Sequence, residues 1–187
     1  ERLAGVARES TATLNNSGTG HSAFCELNYT PEDQNGNIDV SKALKIFSEF
    51  ERSKQFWAYL IKQGLIKDSE KFLFNVPHHS WVHRENQVDF LDRRYKEMKK
   101  HFPFEKMKFT EDHDQMKEWF PLIMRDRDRD KKMAATRMEA GTEIDFEALS
   151  KTYLDILENE FDTEVLYLHE VKDLEKQKDG HWKVLCS

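Results

Sequence analysis

A chain of 187 residues is long enough for one domain with a sizeable core, or for parts of two. Thirteen Phe and four Trp exclude a disordered chain, so the mean hydropathy of −0.82 reflects a well-solvated, 34% charged surface. The net charge of −6 argues against a nucleic-acid partner, because its basic clusters, such as Arg93-Arg94 and Lys131-Lys132, sit among acids. Two cysteines, Cys25 and Cys186, supply neither a disulfide framework nor a metal-ligand set, and fit a reducing cytoplasm. No apolar run approaches the roughly 20 residues of a spanning helix, and no signal peptide is visible. The chain begins at Glu1 rather than Met and stops just after Trp182-Lys183-Val184-Leu185, so both ends read as cut.

In chain order, Glu1-Arg2-Leu3 reads as a strand end, followed by a short helical or turn segment to residue 10. Residues 11–37 are rich in Thr, Asn, Ser and Gly, and their aromatic residues predict a structured loop. Ile38 to Leu65 is the clearest helix, with Asp39 or Ser41 as cap and Gly64 as stop signal. Its apolar stripe is Ala43, Phe47, Phe50, Trp57 and Ile61, joined by Ile46, Tyr59 and Leu60. Core packing explains its aromatic residues, Phe56 included, better than a quinone- or membrane-docking face. Trp119-Phe120 likewise reads as core.

Phe72 to His83 predicts strands broken at Pro77. Glu85 to His101 predicts a second amphipathic helix on Val88, Leu91, Tyr95 and Met98. A short strand at Met107-Lys108-Phe109 and a short helix from Asp112 to Phe120, before Pro121, follow. The alternating charges of 125–132 are self-neutralising and read as a solvated loop. Met133 to Glu139 predicts a strand, and Asp145 to Phe161 a third long helix with Phe146, Leu149, Tyr153, Ile156 and Leu157 inward. Glu164 to Leu174 and His181 to Leu185 read as a β-hairpin around Lys178-Asp179-Gly180. The class is therefore mixed, α/β or α+β.

The most unusual stretch is Asn15-Asn16-Ser17-Gly18-Thr19-Gly20-His21-Ser22. Two glycines let a ligand approach the backbone, and small hydroxyl and amide side chains add donors without bulk. By composition alone it is an ordinary surface loop. Its context raises it above that reading: Glu1 would suit the acid that ends the second strand of a dinucleotide-binding unit and bonds a ribose hydroxyl.

The run NNSGTGHSAFCELNYTP closely resembles the motif of malate:quinone oxidoreductases. SKALKIFSEFERSKQFWAYLIKQGLI, VPHHSWV, FLDRRYKEM, EWFPLIM and AATRMEAGTEIDFEAL continue the resemblance in family order, as does the hairpin from Val171 to Val184. It covers nearly the whole chain. It implies an internal fragment of a glutathione-reductase-type FAD-binding fold with an interleaved substrate domain. Residues 1–37 and the hairpin of 161–187 would fall to the FAD-binding domain, and 38–160 to the substrate region. The resemblance further implies oxidation of (S)-malate to oxaloacetate in the tricarboxylic acid cycle, with electrons passing through FAD to a membrane quinone. The bacterial enzyme would sit peripherally on the inner face of the cytoplasmic membrane.

By the same resemblance, Glu1 and Arg2 would hold the adenosine ribose, and Asn15, Asn16, Ser17, Gly18, Thr19 and Gly20 would line the pyrophosphate and flavin side. Val171 would meet the adenine through its backbone. The family's N-terminal Gly-x-Gly-x-x-Gly loop is absent from these residues, and with it the main electrostatic anchor of the pyrophosphate. The intact protein is expected to bind FAD, and this segment alone to bind it poorly and to be inactive.

His21, in the motif loop, and His79 are the candidate bases, since histidine suits proton abstraction near neutral pH. His78, His79 and His83 supply no closed metal-ligand set; His79 is expected at the substrate pocket and His78 and His83 at the surface. Arg137 offers a bidentate fork for a dicarboxylate, with Thr142 beside it, and the alternative is an Arg paired with Glu139 or Glu143. Two other functions remain open: a related FAD-dependent oxidase of another 2-hydroxy or amino acid, and a cofactor-free α/β interaction module.

Overall fold

The computed structural model describes residues 1–187. Its elements are α1 (Arg8–Thr11), α2 (Ser41–Lys62), β1 (Leu73–Asn75), β2 (His78–Val82), α3 (Glu85–Met98), β3 (Lys108–Thr110), α4 (His113–Trp119), β4 (Ala134–Met138), β5 (Thr142–Ile144), α5 (Phe146–Glu160), β6 (Val171–Lys176) and β7 (Trp182–Cys186). The class is mixed α and β with small sheets, as expected. The expected strand at Glu1–Leu3 is not formed; that segment is a bend whose carboxylate is engaged locally. Residues 164–170 are likewise no strand, and the hairpin starts only at Val171.

Helix boundaries follow local chemistry. Asp39 Oδ1 accepts the Ser41 N–H at 2.9 Å ahead of α2, and Gly64, at φ +75°, turns the chain away after it. Asp112 and Asp145 cap α4 and α5 in the same way, accepting from Gln115 N at 2.8 Å and Ala148 N at 2.9 Å.

The chain divides into two compact units, each assembled from separated segments. The first comprises Glu1–Thr19, Trp57–Phe74 and Glu143–Ser187. Its buried residues include Trp57, Leu60, Ile66, Phe72, Ile144 and Leu149. The expected stripes need correction on both helices. On α2 Leu60 is buried as expected, but Phe56, Tyr59 and Ile61 are exposed, and on α5 Leu157 is exposed; one residue's rotation around a helix is about 100°, enough to change face. Trp57 packs edge-on against Phe72 at 5.7 Å, and its indole N–H donates to the Tyr153 hydroxyl at 2.6 Å. Trp57→Phe keeps most of the ring and loses that bond. It should lower stability by about 1 kcal/mol in urea unfolding, and an unchanged midpoint would mean that the bond contributes nothing net.

The second unit comprises Gly20–Phe56 and Asn75–Thr142. It is built on the antiparallel sheet β2-β4-β3. Because side chains alternate across a strand, His78, Ser80 and Val82 share one face of β2, and His79 and Trp81 the other. On the first face Val82 and Ala134 pack with Val88 and Leu91 of α3, and Met138 joins Ala23, Phe24, Ala43, Met98, Phe104 and Met107. On the second, Ala135 packs with Met116, Met124 and Met133, flanked by Trp81, Trp119 and Phe120. Residues 125–132 are exposed and carry no regular structure, as the mixed charge predicts.

Candidate functional site

The loop 20–30 is pinned on several sides. Gly20 N donates to Thr142 O at 2.8 Å, and a Cβ at Gly20 would lie 2.0 Å from Thr142 Oγ1, so only glycine fits. Ser80 Oγ donates to Cys25 O at 2.8 Å. Arg94, fully buried on α3, donates through Nε to Thr30 Oγ1 at 2.9 Å and through Nη2 to Ala23 O and Phe24 O at 3.4 and 3.3 Å. Burial pushes this guanidinium down to about 10, which leaves it charged at neutral pH. Ala23 holds a left-handed φ of 59° within this clamp.

His21 stands at the exposed start of the loop, with Nδ1 3.2 Å from Glu26 Oε1 and 3.4 Å from the Tyr29 hydroxyl. His78 is not the surface residue that the sequence suggests. Its Nε2 lies 2.9 Å from Thr142 O, which fixes that nitrogen as the donor, and its Nδ1 is 3.7 Å from Cys25 Sγ. Burial first, and then the Glu26 charge, push the Cys25 thiol up to about 12, so it is not a nucleophile at neutral pH. His83 is exposed, as expected, and stacks on Trp81 at 5.0 Å.

The opposite face of the sheet carries the other two candidates side by side. His79 and Arg137 are direct cross-strand partners, and Lys108 of β3 stands opposite Arg137 on its other side. Trp119 lies under the guanidinium at 5.7 Å, and His79 packs against Trp119 at 6.0 Å and Phe120 at 5.3 Å. Glu139 accepts from Arg137 Nε at 2.9 Å and Nη2 at 3.0 Å, and from Lys108 Nζ at 3.2 Å. One carboxylate thus sits between two cations and leaves a surplus positive charge. His79 Nε2 is buried without a hydrogen-bond partner. Burial first, then the Arg137 charge, push this imidazole below its ordinary range; Glu139 pulls the other way, and His78 adds a smaller push down.

A histidine that titrates lower when folded binds its proton more readily when unfolded. Stability is therefore full above the unfolded value of about 6.5 and falls as pH drops through the lower folded value. His79→Phe should flatten the fall in denaturation midpoint below pH 6.5. An unaltered slope would assign that sensitivity elsewhere.

The candidates therefore sort into two groups. Gly20, His21 and Thr142 gather at the pinned loop; His79 of β2 and Arg137 of β4 lie on the other face of the sheet. His78 and His79 are consecutive, so the groups are one residue apart along the strand and can share a ligand only around its end.

In the first unit, Asn16, Ser17 and Gly18 border a pocket of ≈ 350 Å³ with Thr11, Thr13 and Glu143. Much of the loop's polarity holds the loop itself: Asn15 and Asn16 donate to Arg8 O and Ser10 O, and Asn16 Oδ1 accepts from Gly18 N. Gly18 also accepts from Ile144 N at 2.6 Å, and Thr19 bridges Glu143. Glu1 accepts from Leu3 N and Ala7 N, which holds its exposed carboxylate below the usual range. Arg2 pairs with Glu9, and Val171 is exposed on β6.

Two features escaped sequence reasoning. Arg94 falls on the stripe of α3, three residues after Leu91, and that position is its one signal. Glu26 has no local signal, because its partner comes from loop geometry.

A family model, malate:quinone oxidoreductase (Mqo), matches residues 1–187. Proteins named probable malate:quinone oxidoreductase from Bacillus cytotoxicus, Flavobacterium johnsoniae and Halalkalibacterium halodurans are each 44% identical over 184 residues. Those 184 residues are 98% of this chain and 37% of each relative, so the chain spans well under half their length. The chain belongs to the malate:quinone oxidoreductase family.

Proposed function

We propose that this chain is the part of an FAD-dependent malate dehydrogenase that carries the base and a carboxylate anchor for (S)-malate. The observation that supports it most is the 44% identity over 98% of the chain to relatives named for malate and quinone. A share of the cofactor site fits residues that are present. Glu1 keeps lone pairs free on an exposed carboxylate, and the Ser17 and Thr19 hydroxyls and the Asn16 amide stand in or next to the pocket-lining loop. Glu1 and Arg2 would take the ribose, the 15–20 loop the pyrophosphate and flavin side, and Val171 the adenine. When bound, FAD accepts hydride and hands electrons to a quinone.

The chain's own residues do the rest. His21, exposed and with one ring nitrogen held, is the better base; His79, buried against aromatic rings, is the better neighbour for a bound anion. Arg137 clamps a malate carboxylate by exchanging Glu139, which stays bonded to Lys108. Residues 1–37 and 161–187 form the FAD-binding side and 38–160 the substrate side. No helix is long and apolar enough to cross a membrane, and we place the whole enzyme peripherally on the inner face of the cytoplasmic membrane.

The test is a visible spectrum of the full-length protein before and after malate. Flavin bands that bleach with malate, and not with lactate or amino acids, support the reading. A colourless protein, or bleaching by an amino acid alone, overturns it in favour of a binding module or a related oxidase. Residues 1–187 alone should lose added FAD on dialysis. Arg137→Met in the full-length enzyme should raise the KM for malate about tenfold or more, the loss of about one charge-assisted bond. An unchanged KM would remove Arg137 from the substrate site.

A further inference from the structure

We infer that Glu26 is a positioning residue that sets the tautomer of His21, so that Nε2 takes the hydroxyl proton of the 2-hydroxy acid. The inference rests on the reading that malate is oxidised at this loop. A carboxylate only accepts hydrogen bonds, so Glu26 Oε1, 3.2 Å from His21 Nδ1, requires the proton on Nδ1 and leaves the Nε2 lone pair free. The Tyr29 hydroxyl, 3.4 Å from the same nitrogen, can accept as well and closes that side of the ring. The two partners differ in exposure from the histidine: the His21 side chain is 56% exposed and that of Glu26 17%. The ring therefore faces outward from a carboxylate that is itself held within the loop.

The surrounding loop makes this an arranged contact. His21 follows Gly20, which is bonded to Thr142 and has no room for a side chain. Glu26 lies between Cys25, whose carbonyl is held by Ser80, and the turn Leu27–Tyr29, in which Tyr29 N donates to Glu26 O. Thr30 ends the segment on the Arg94 guanidinium. Lys42 stands over the Tyr29 ring at 4.9 Å. All three side chains of the cluster hang from backbone that buried groups fix.

As the C2 O–H bond breaks, its proton would move to His21 Nε2, and FAD, when bound, would supply the acceptor for the C2 hydride. Carbon 2 would become the ketone of oxaloacetate, and Glu26 would face the imidazolium that forms. A carboxylate in that place stabilises the charge and keeps the ring from rotating.

The experiment is a double-mutant cycle in the full-length holoenzyme with Glu26→Gln, Glu26→Asp and His21→Gln. Glutamine can donate to Nδ1 and so favour the opposite tautomer. Glu26→Gln should lower kcat by about tenfold or more with flavin content and the KM for malate unchanged, and Glu26→Asp should restore part of it. In the His21→Gln background, Glu26→Gln should cost nothing further. The ¹⁵N spectrum of histidine-labelled holoenzyme should show the His21 proton on Nδ1, and its displacement in Glu26→Gln. Multiplicative losses in the double variant, or a His21 proton on Nε2 in the unaltered protein, overturn the role of Glu26 and leave His21 as base. An unchanged kcat in His21→Gln overturns the placement of the base on this loop as well. If a variant loses its flavin, the position of the proton in the unaltered holoenzyme decides.

Discussion

Arg94→Met should destabilise the protein by about 3 kcal/mol or more, since hydrogen bonds to a charged group are worth about 1.5–3 kcal/mol each. The argument has two sides. A buried cation carries a desolvation penalty, and replacing a buried ion with an apolar side chain of similar length is sometimes neutral. Here the acceptors stay behind: Thr30 Oγ1 and the carbonyls of Ala23 and Phe24 lose a donor in a region that water does not reach. Thr30 and Ala23 are fully buried, so their unmet polar groups cost more than the removed charge returns. Arg94→Lys should fall between, because an ammonium keeps the charge and loses the planar fork. Urea unfolding of the three proteins orders them; equal midpoints for the unaltered protein and Arg94→Met would show that the desolvation penalty cancels the bonds.

The second large effect is expected from Gly141→Ala. A Cβ there would stand 2.3 Å from Val76 O, 2.5 Å from His78 Cδ2 and 2.6 Å from His78 N. Two of these are backbone atoms at the entry to β2, and Val76 N already donates to Gly141 O at 2.9 Å. The strand must move, and His78 with it. Overpacking of this kind costs about 1–3 kcal/mol, and the displaced β2 would also weaken the His79–Arg137 pairing. Gly180, at φ +90° in the hairpin turn with nothing within 4 Å of an added Cβ, is the comparison. Its change to Ala meets only left-handed strain, about 1–2 kcal/mol. On the proposed function, Gly141→Ala in the full-length protein should also shift the KM for malate, and Gly180→Ala should not. The reverse order in thermal unfolding would mean that the contact at Gly141 relaxes freely.

The long amphipathic helices can be read from the chain because periodicity and caps are local. Asp39, Asp145 and Gly64 do in the structure what those residues do in any helix. The strand β5 escapes because three residues, Thr142–Ile144, give no alternation to count. Glu1-Arg2-Leu3 reads as a strand end, and its own hydrogen bonds make a bend instead. The candidate site was legible residue by residue but not as an arrangement. Histidine and arginine announce their chemistry by type; that His79 stands opposite Arg137 depends on strand register, and that His78 meets Cys25 depends on the loop packed over its own face. Arg94 shows the same limit. Its place on an apolar stripe was visible, but the three oxygen atoms that make such burial tolerable come from residues 64 to 71 positions away.

The division into two units bears on the order in which the protein is made. The chain passes from one to the other after Thr19, Phe56, Phe74 and Thr142, so neither unit is a continuous stretch. During synthesis the unit containing His21, His79 and Arg137 has all its residues once Thr142 has emerged. The other holds two early segments in waiting until the chain from Glu143 onward arrives to close them. Trp57, Leu60 and Phe72 are apolar side chains of the early segments, whereas Ile144, Leu149 and Tyr153 arrive with the last one. One half is thus complete while the other is still open, and the apolar surface in need of chaperone cover belongs to the half that is finished last.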